Sequence, residues 1–421
     1  MASKPQLAGS TLPQGKRTTF PKRPQGRTQV TAEDVGPALV EHALAHSRSW
    51  SLAGHGSRCA LLLQRFRAAR TTLERVYRPE QTRDKVSAGV QSELLPSRLL
   101  LHYAVLDVEN SLRSETYAPQ VEESGEKVPR AYLAARSYLA AAASEFDDTS
   151  FLSYMQAVQE VCTLDISEVC MLSPLLQLQL LLELSAEIEK APSEITPEIR
   201  ERLKSICSSL TRVRETDWVS LFETLSVTEK ILANDPAGAY STMESQSRND
   251  YRQAIQELAR YSKCSEEEIA QLAVERAQES LSQFPNPSRA SIRLTHVGYY
   301  LVSGGRRILE RKIGYRPRGA ALVRKVLLEE PELYYSLGLE LSIFAILLFL
   351  LSGMNAGFPF VTAILLLLLP CSEAAIEAIN QLVRFILPPR TIPRLDFQKG
   401  IPKECATVVA VPALLVSQEQ V

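Results

Sequence analysis

Leu337–Ser352 reads LGLELSIFAILLFLLS, and after the break GMNAG at 353–357 the chain resumes at Phe358 as FPFVTAILLLLLP and stays mostly apolar to Leu387. A helix rises about 1.5 Å per residue, so about 20 apolar residues cross a hydrocarbon core of about 30 Å. With Tyr334 and Tyr335 counted in, the first run reaches that length. The second reaches it with Pro370 inside the helix. Two spans joined by so short a loop predict a transmembrane hairpin over 330–387, with both flanks on one face of a bilayer. Before the hairpin stand Arg306, Arg307, Arg311, Lys312, Arg316, Arg318, Arg324 and Lys325; after it stand Arg384, Arg390, Arg394 and Lys399; the loop is uncharged. The bias of basic residues toward the cytoplasmic side then predicts both termini inside and the GMNAG loop outside.

The rest of the composition narrows the class. The 421 residues carry 47 Lys and Arg against 48 Asp and Glu. No net basic field is available to neutralise phosphates, which argues against nucleic acid as a partner. The seven cysteines (59, 162, 170, 207, 264, 371 and 405) form no CxxC, and their odd number suits a reducing compartment. Residues 1–30 hold six basic and no acidic side chains and no apolar stretch. They therefore predict a disordered basic tail and no secretory signal.

Residues 31–329 read as a helical domain on the cytosolic side. Thr31 with Asp34, and Ser265 with Glu268, have capping-box spacing, and Thr196–Pro197 reads as an N-cap followed by proline at the first helical position. Ile269, Leu272, Ala273, Ala277, Leu281 and Phe284 form one apolar stripe. The segment 174–187 (PLLQLQLLLELSAE) is apolar but interrupted by Gln177, Gln179 and Glu183, which predicts a buried helix of the domain and not a third span. Breaks fall near 79–94, 117–129, 190–197, 234–241, 285–290 and 313–319. The fold class expected is all-α: a cytosolic multi-helix bundle of about a dozen helices, a transmembrane hairpin, and a short truncated α/β start. That last part, 388–421, is a proline-punctuated linker followed by a strand-like Thr407–Val411.

Few residues invite a chemical role. His42 and His46 stand one helical turn apart, a spacing that can present two imidazoles to a metal, but no third ligand lies nearby in sequence. Glu340, Glu373 and Glu377 lie in or beside the spans, where carboxylates are costly and often functional; their predicted depth near the cytoplasmic face favours an interfacial role. The stretch 215–261 (ETDWVSLFETLSVTEKILANDPAGAYSTMESQSRNDYRQAIQELARY) is the richest. In it Asp235–Pro236 can cap a helical turn, Gly238 permits an unusual backbone, and Glu244, Arg248, Asp250 and Arg252 alternate in sign. A helix junction stapled by ion pairs accounts for this better than a catalytic centre. No phosphate loop, triad or metal-spaced acidic pair emerges, so no catalytic, cofactor-binding or metal residue is nominated.

The same stretch resembles the N-terminal region of cyclic β-1,2-glucan synthases, large bacterial membrane enzymes. The resemblance rests on SSLTRVRETDW (208–218), LFETLSVTEKILANDPAGAY (221–240), MESQSRNDYR (243–252), HVGYYLVSGGRRILE (296–310), CSEAAIEAINQLV (371–383) and PPRTIPRLDFQKGIPKECATVVAVPALLVSQEQV (388–421), in that order. Weaker similarity runs upstream through VEHALAHS (40–47), LPSRLLLHYAVLDVENSLR (95–113), PRAYLAAR (129–136) and LDISEVCMLSP (164–174). The blocks DPAGAY, HVGYYLV and LDFQKGIP are the specific ones. Ser245 replaces the family's usual aromatic, Asn249 its usual acidic residue, and a tryptophan expected around Val169–Cys170 is absent. The resemblance implies a UDP-glucose-dependent glycosyltransferase whose catalytic domain, with its divalent metal, begins where this sequence ends. UDP-glucose and metal are thus expected only of that missing domain, and no cofactor of this chain. The implied setting is the bacterial inner membrane, with the bilayer and the remaining synthase domains, or a separate transferase, as partners. The alternative is a stand-alone, non-catalytic membrane scaffold or regulatory module.

Overall fold

A computed structural model describes residues 37–56, 60–77, 88–113, 118–123, 125–191, 195–283, 291–352, 360–387, 392–397, 400–401 and 403–406. The basic tail, the Thr31–Asp34 box, the GMNAG loop, Phe284 and the strand-like Thr407–Val411 lie outside them. The elements in chain order are α1 (Pro37–Arg48), β1 (Leu52–Gly56), α2 (Ala60–Tyr77), α3 (Ala88–Leu94), α4 (Arg98–Arg113), β2 (Ala118–Glu123), β3 (Glu126–Pro129), α5 (Arg130–Ala141), α6 (Asp148–Val161), α7 (Ile166–Lys190) and α8 (Pro197–Glu215). There follow α9 (Trp218–Leu225), α10 (Val227–Leu232), α11 (Ser245–Arg260), α12 (Glu266–Gln283), α13 (Val297–Val302), α14 (Arg306–Ile313), α15 (Ala320–Glu329), α16 (Pro331–Ser352) and α17 (Phe360–Ile386).

The helical domain has two centres. In the first half α2, α4, α5 and α8 surround α7, with α1 laid over α5 and α6. In the second half α10, α11, α13 and α14 gather on α12. The two halves meet where α9 and α11 touch α7. The predicted local signals hold. Thr196 caps α8, its Oγ1 accepting from Ile199 N (3.4 Å) with Pro197 at the first position. Ser265 and Glu268 exchange reciprocal bonds at the start of α12 (2.8 and 3.1 Å). Ile269, Ala273 and Ala277 of the stripe are buried, whereas Leu281 is exposed.

Three helices are long and apolar enough to cross a membrane: α7, α16 and α17. Packing separates them. Over half of the apolar window of α7, 56%, is buried in the domain, against 0% for α16 and 17% for α17. A helix apolar on all sides must be covered by something, and α7 is covered by protein. Two of its polar residues are served inside: Gln179 Oε1 accepts from Tyr132 OH (2.9 Å), Gln179 Nε2 donates to Glu183 (2.9 Å), and Ser144 Oγ donates to the other Glu183 oxygen (2.5 Å). The exposed apolar faces of α16 and α17 fit a lipid environment. The pair packs along a seam of small residues: Ala363, Cys371 and Ala375 are buried. A Cβ at Gly338 would lie 3.5 Å from Ile379 Cδ1.

One feature departs from an all-helical reading of 31–329. The segments β1, β2 and β3 form an antiparallel sheet in that order, with Val121 opposite Val128 and Glu123 opposite Glu126. The β2–β3 hairpin closes over two residues, and Gly125 takes φ +83° there. Strand β1, LAGHG, has almost no strand-forming composition. The sheet caps one side of the bundle and does not alter the all-α class.

Candidate functional site at the meeting of three sequence blocks

Asp235 is the centre of the site. The chain leaves α10, turns through Asp235–Gly238 with Gly238 at φ +64°, and forms a single 3₁₀ turn at Tyr240–Thr242 before α11. The Asp235 carboxylate spans that turn and reaches a distant segment. Its Oδ2 accepts from Ala239 N (3.1 Å), Tyr240 N (3.2 Å) and His296 Nδ1 (2.7 Å), and its Oδ1 accepts from Val297 N (3.0 Å). The Asp235 side chain is fully buried. Burial alone would raise its carboxyl, but the His296 ring and the backbone donors hold it below the ordinary aspartate range.

His296 is locked from both sides, since its Nε2 lies 2.9 Å from Tyr251 OH. With Asp235 ionised, Nδ1 carries the proton and Nε2 accepts from the tyrosine. Burial and the neighbouring Asp235 charge push the Tyr251 hydroxyl up to about 12, so it keeps its proton and donates. Gly298 makes this contact possible. A Cβ there would stand 2.1 Å from Tyr251 OH and 2.7 Å from His296 Nε2. The Asp–His–Tyr chain has the order of a proton relay, yet its last member is 2% exposed. It therefore lacks the accessible nucleophile that such a relay serves.

A second buried carboxylate stands beside it. Glu229 accepts from Tyr240 OH (2.9 Å), Arg252 Nε (2.9 Å) and Arg248 Nη1 (3.3 Å), and Arg248 Nη2 also reaches Glu223 (2.7 Å). Arg252 lies over the Phe222 ring at 4.5 Å. The stapled junction expected of Arg248 and Arg252 is thus present. Glu244 contributes its backbone and not its charge: it precedes α11 without a side-chain cap and is exposed.

The segment that follows the hairpin returns to this place. Met243 and Leu395 form an antiparallel bridge. Glu244 N donates to Arg394 O (2.9 Å), Asp396 N to Thr242 O (2.8 Å) and Arg394 N to Ser247 Oγ (2.8 Å). The DPAGAY, HVGYYLV and LDFQKGIP blocks therefore meet within one small region.

A cleft of about 1340 Å³ lies elsewhere, between the two halves and residues Ala320, Ala321, Val323, Arg324, Phe385 and Ile386. On its domain side Arg130 binds Glu168 through a fork, Nε to Oε1 (2.9 Å) and Nη2 to Oε2 (2.5 Å), and Nη2 also donates to Thr163 O (2.8 Å). Burial pushes the Glu168 carboxyl up against the pull of Arg130. Glu266, at the start of α12, accepts from Ile166 N at the start of α7 (2.7 Å). Glu266 thus ties the start of α12 to the start of α7 across the two halves, while the Arg130–Glu168 fork braces α5 on α7 within the first.

The other sequence candidates do not assemble. His42 and His46 stack at 5.9 Å between ring centres, and His46 Nδ1 accepts from Trp50 Nε1 (3.1 Å). Burial, His42 and Arg136 hold His46 below the ordinary histidine range. Among the described residues no group of three or more His, Cys, Asp or Glu is placed to hold a metal. Glu340, Glu373 and Glu377 are exposed on the hairpin surface and away from its seam. Of the departures from the family pattern, Ser245 and Cys170 are exposed, Asn249 is half-buried and Val169 is buried. His296 escaped the sequence reading because it lies 61 residues from Asp235. The HVG tripeptide, with a glycine inside an apolar helical run, was the available signal.

No protein-family model matches the chain. Its sequence is 29% identical over 223 residues to the cyclic beta-(1,2)-glucan synthase NdvB of Rhizobium meliloti (strain 1021). The match covers 52% of this chain and 8% of that protein, so the chain corresponds to a small part of its relative's length. By sequence, the chain is a distant relative of this cyclic glucan synthase.

Proposed function

We propose that this chain is the N-terminal helical and membrane-anchoring part of a glucan synthase-like glycosyltransferase of the bacterial inner membrane, and that it positions a catalytic domain attached through residues 392–406. The observation that carries this reading is the docking of Arg394–Asp396 on Thr242–Ser247. The chain emerging from the membrane is not left as a free tether: three hydrogen bonds hold it to the helical domain, which fixes where a following domain begins. Glucose transfer from UDP-glucose belongs to that catalytic domain. The residues of the present chain hold and orient; none is assigned to the chemistry.

Membranes carrying this chain together with the transferase segment of a cyclic glucan synthase, supplied as a separate polypeptide, are expected to make glucan from labelled UDP-glucose. Either polypeptide alone is expected to make none. Equal synthesis without the chain overturns the reading, and incorporation by the purified chain alone shows that a catalytic site has been overlooked.

The docking also needs both flanks of the hairpin on one side, which with the basic flanks is the cytoplasmic one. Reporter fusions at Ala2, Asn355 and Val421 are expected to read inside, outside, inside. A reporter at Ala2 or Val421 that is active in the periplasm contradicts it.

A further inference from the structure

The juxtamembrane segment ahead of the hairpin is built differently from the rest of the domain. Helix α14 stops at Gly314, in the left-handed region at φ +65°, and the chain turns again at Gly319, φ +59°. Helix α15 then runs to Glu329, and Glu330 leaves helical geometry (φ −135°, ψ 67°) before Pro331 opens α16. Helix α15 is thus a separate segment and not an extension of the span. None of its residues is buried, although Leu322, Val323 and Leu328 are 46–51% exposed aliphatics. Ile308 of α14 is similarly exposed, at 49%. Apolar side chains left open on a short helix joined directly to a span fit the boundary between headgroups and acyl chains.

Between α14 and α15 lies a pocket of about 320 Å³. Four of its lining residues are cations, Arg307, Arg311, Arg316 and Lys325, and two are anions, Glu310 and Glu329. Lys325 is held by Glu310 (2.9 Å), which also accepts from Arg306 Nε (3.0 Å). Among the described residues the side chains of Arg307, Arg311 and Arg316 meet no carboxylate, and all three are exposed. The pocket therefore gathers unneutralised guanidinium groups, which suit the oxygens of a phosphodiester.

We infer that this pocket binds the headgroup phosphate of an anionic phospholipid of the bilayer that α16 and α17 cross. A soluble phosphate would satisfy the arginines alone. A lipid also covers Leu322, Val323 and Leu328 with its acyl chains, and it lies at the depth where α15 joins the span. Anionic cytoplasmic leaflets attract juxtamembrane basic segments for the same reason.

The test uses the full chain purified in neutral detergent, with binding read by titration of phosphatidylglycerol, of phosphatidylcholine with the same acyl chains, and of inorganic phosphate. Saturable binding of phosphatidylglycerol, with a rise in melting temperature, is expected; phosphatidylcholine and phosphate are expected to give neither. Replacing Arg307, Arg311 and Arg316 together by glutamine should weaken phosphatidylglycerol binding on the order of a hundredfold. The melting temperature in phosphatidylcholine should stay unchanged. Should that variant fail to fold, Arg311→Gln alone is expected to lose roughly fivefold. Equal binding of the two lipids, an unaltered affinity in the variants, or a shift reproduced by phosphate alone overturns the assignment.

Discussion

Asp235→Ala is expected to destabilise the helical domain by about 3–5 kcal/mol, the range for removing one member of a buried charged network. As a simple N-cap the same change costs about 0.5–2 kcal/mol. The structure argues for the larger figure. Alanine leaves the backbone N–H groups of Ala239, Tyr240 and Val297 without the acceptor they share, and leaves His296 Nδ1 without its partner. Each buried donor so orphaned carries a desolvation cost of about 1–3 kcal/mol, reduced where water enters. The loss also spreads: once His296 is released, Tyr251 loses the acceptor that orients it. Asp235→Asn, which keeps an acceptor oxygen but turns an amide toward donors, should fall between the two. Chemical denaturation of the detergent-solubilised chain measures both variants. A loss below about 1 kcal/mol would reduce Asp235 to a local cap. Lost synthesis in a full-length relative at unchanged melting would instead give it a direct part in the chemistry.

The contrast between the two figures shows where sequence reading stops. Several features that depend on neighbours within a turn or two were legible: the Thr196 and Ser265 caps, the Gly238 turn and the apolar hairpin; so was a junction stapled by ion pairs at Arg248 and Arg252, though not that their partners are Glu223 and Glu229 of the preceding helices. The buried character of α7 was legible too, because polar residues inside an apolar run need partners that lipid does not supply, and Gln179 and Glu183 find theirs in the domain. What the sequence could not convey was pairing across long separations. Asp235 with His296, Thr242–Ser247 with Arg394–Asp396, and Glu266 with Ile166 each join segments that carry no local sign of one another. The sheet was missed for a different reason. Leu52–Gly56 gains its strand character from pairing with β2 and has little of its own. The Ser124–Gly125 dipeptide between two valine-bearing runs was the one hairpin signal, and it reads equally well as a loop.

Glu266 supplies the second large effect, and it is one of pH. The residue is 8% exposed. Burial first, and the Asp165 and Glu168 carboxylates after it, push it up from 4.5 to about 8, although Ile166 N donates to it. In the unfolded chain it ionises near the ordinary value, so between about 4.5 and 8 the folded state holds a proton that the unfolded state has released. A group raised in this way contributes its stability in full below the unfolded value and loses it as pH rises through the folded one. The contribution of Glu266 should therefore fall by about 1.4 kcal/mol per pH unit across that window and level off above it. Glu266→Gln keeps the acceptor for Ile166 N and cannot ionise. The variant is expected to match the parent near pH 5 and to become progressively more stable than it toward pH 8, by a few kcal/mol at the upper end. Comparing the two chains at each pH cancels most of what the remaining ionisable groups contribute. Paired melts from pH 5 to 9 read the difference directly. A gap that does not change with pH means that Glu266 is already charged in the fold at pH 5. A variant less stable than the parent at pH 8 means that the charge itself holds α12 to α7, by pairing with the dipole at the start of α7.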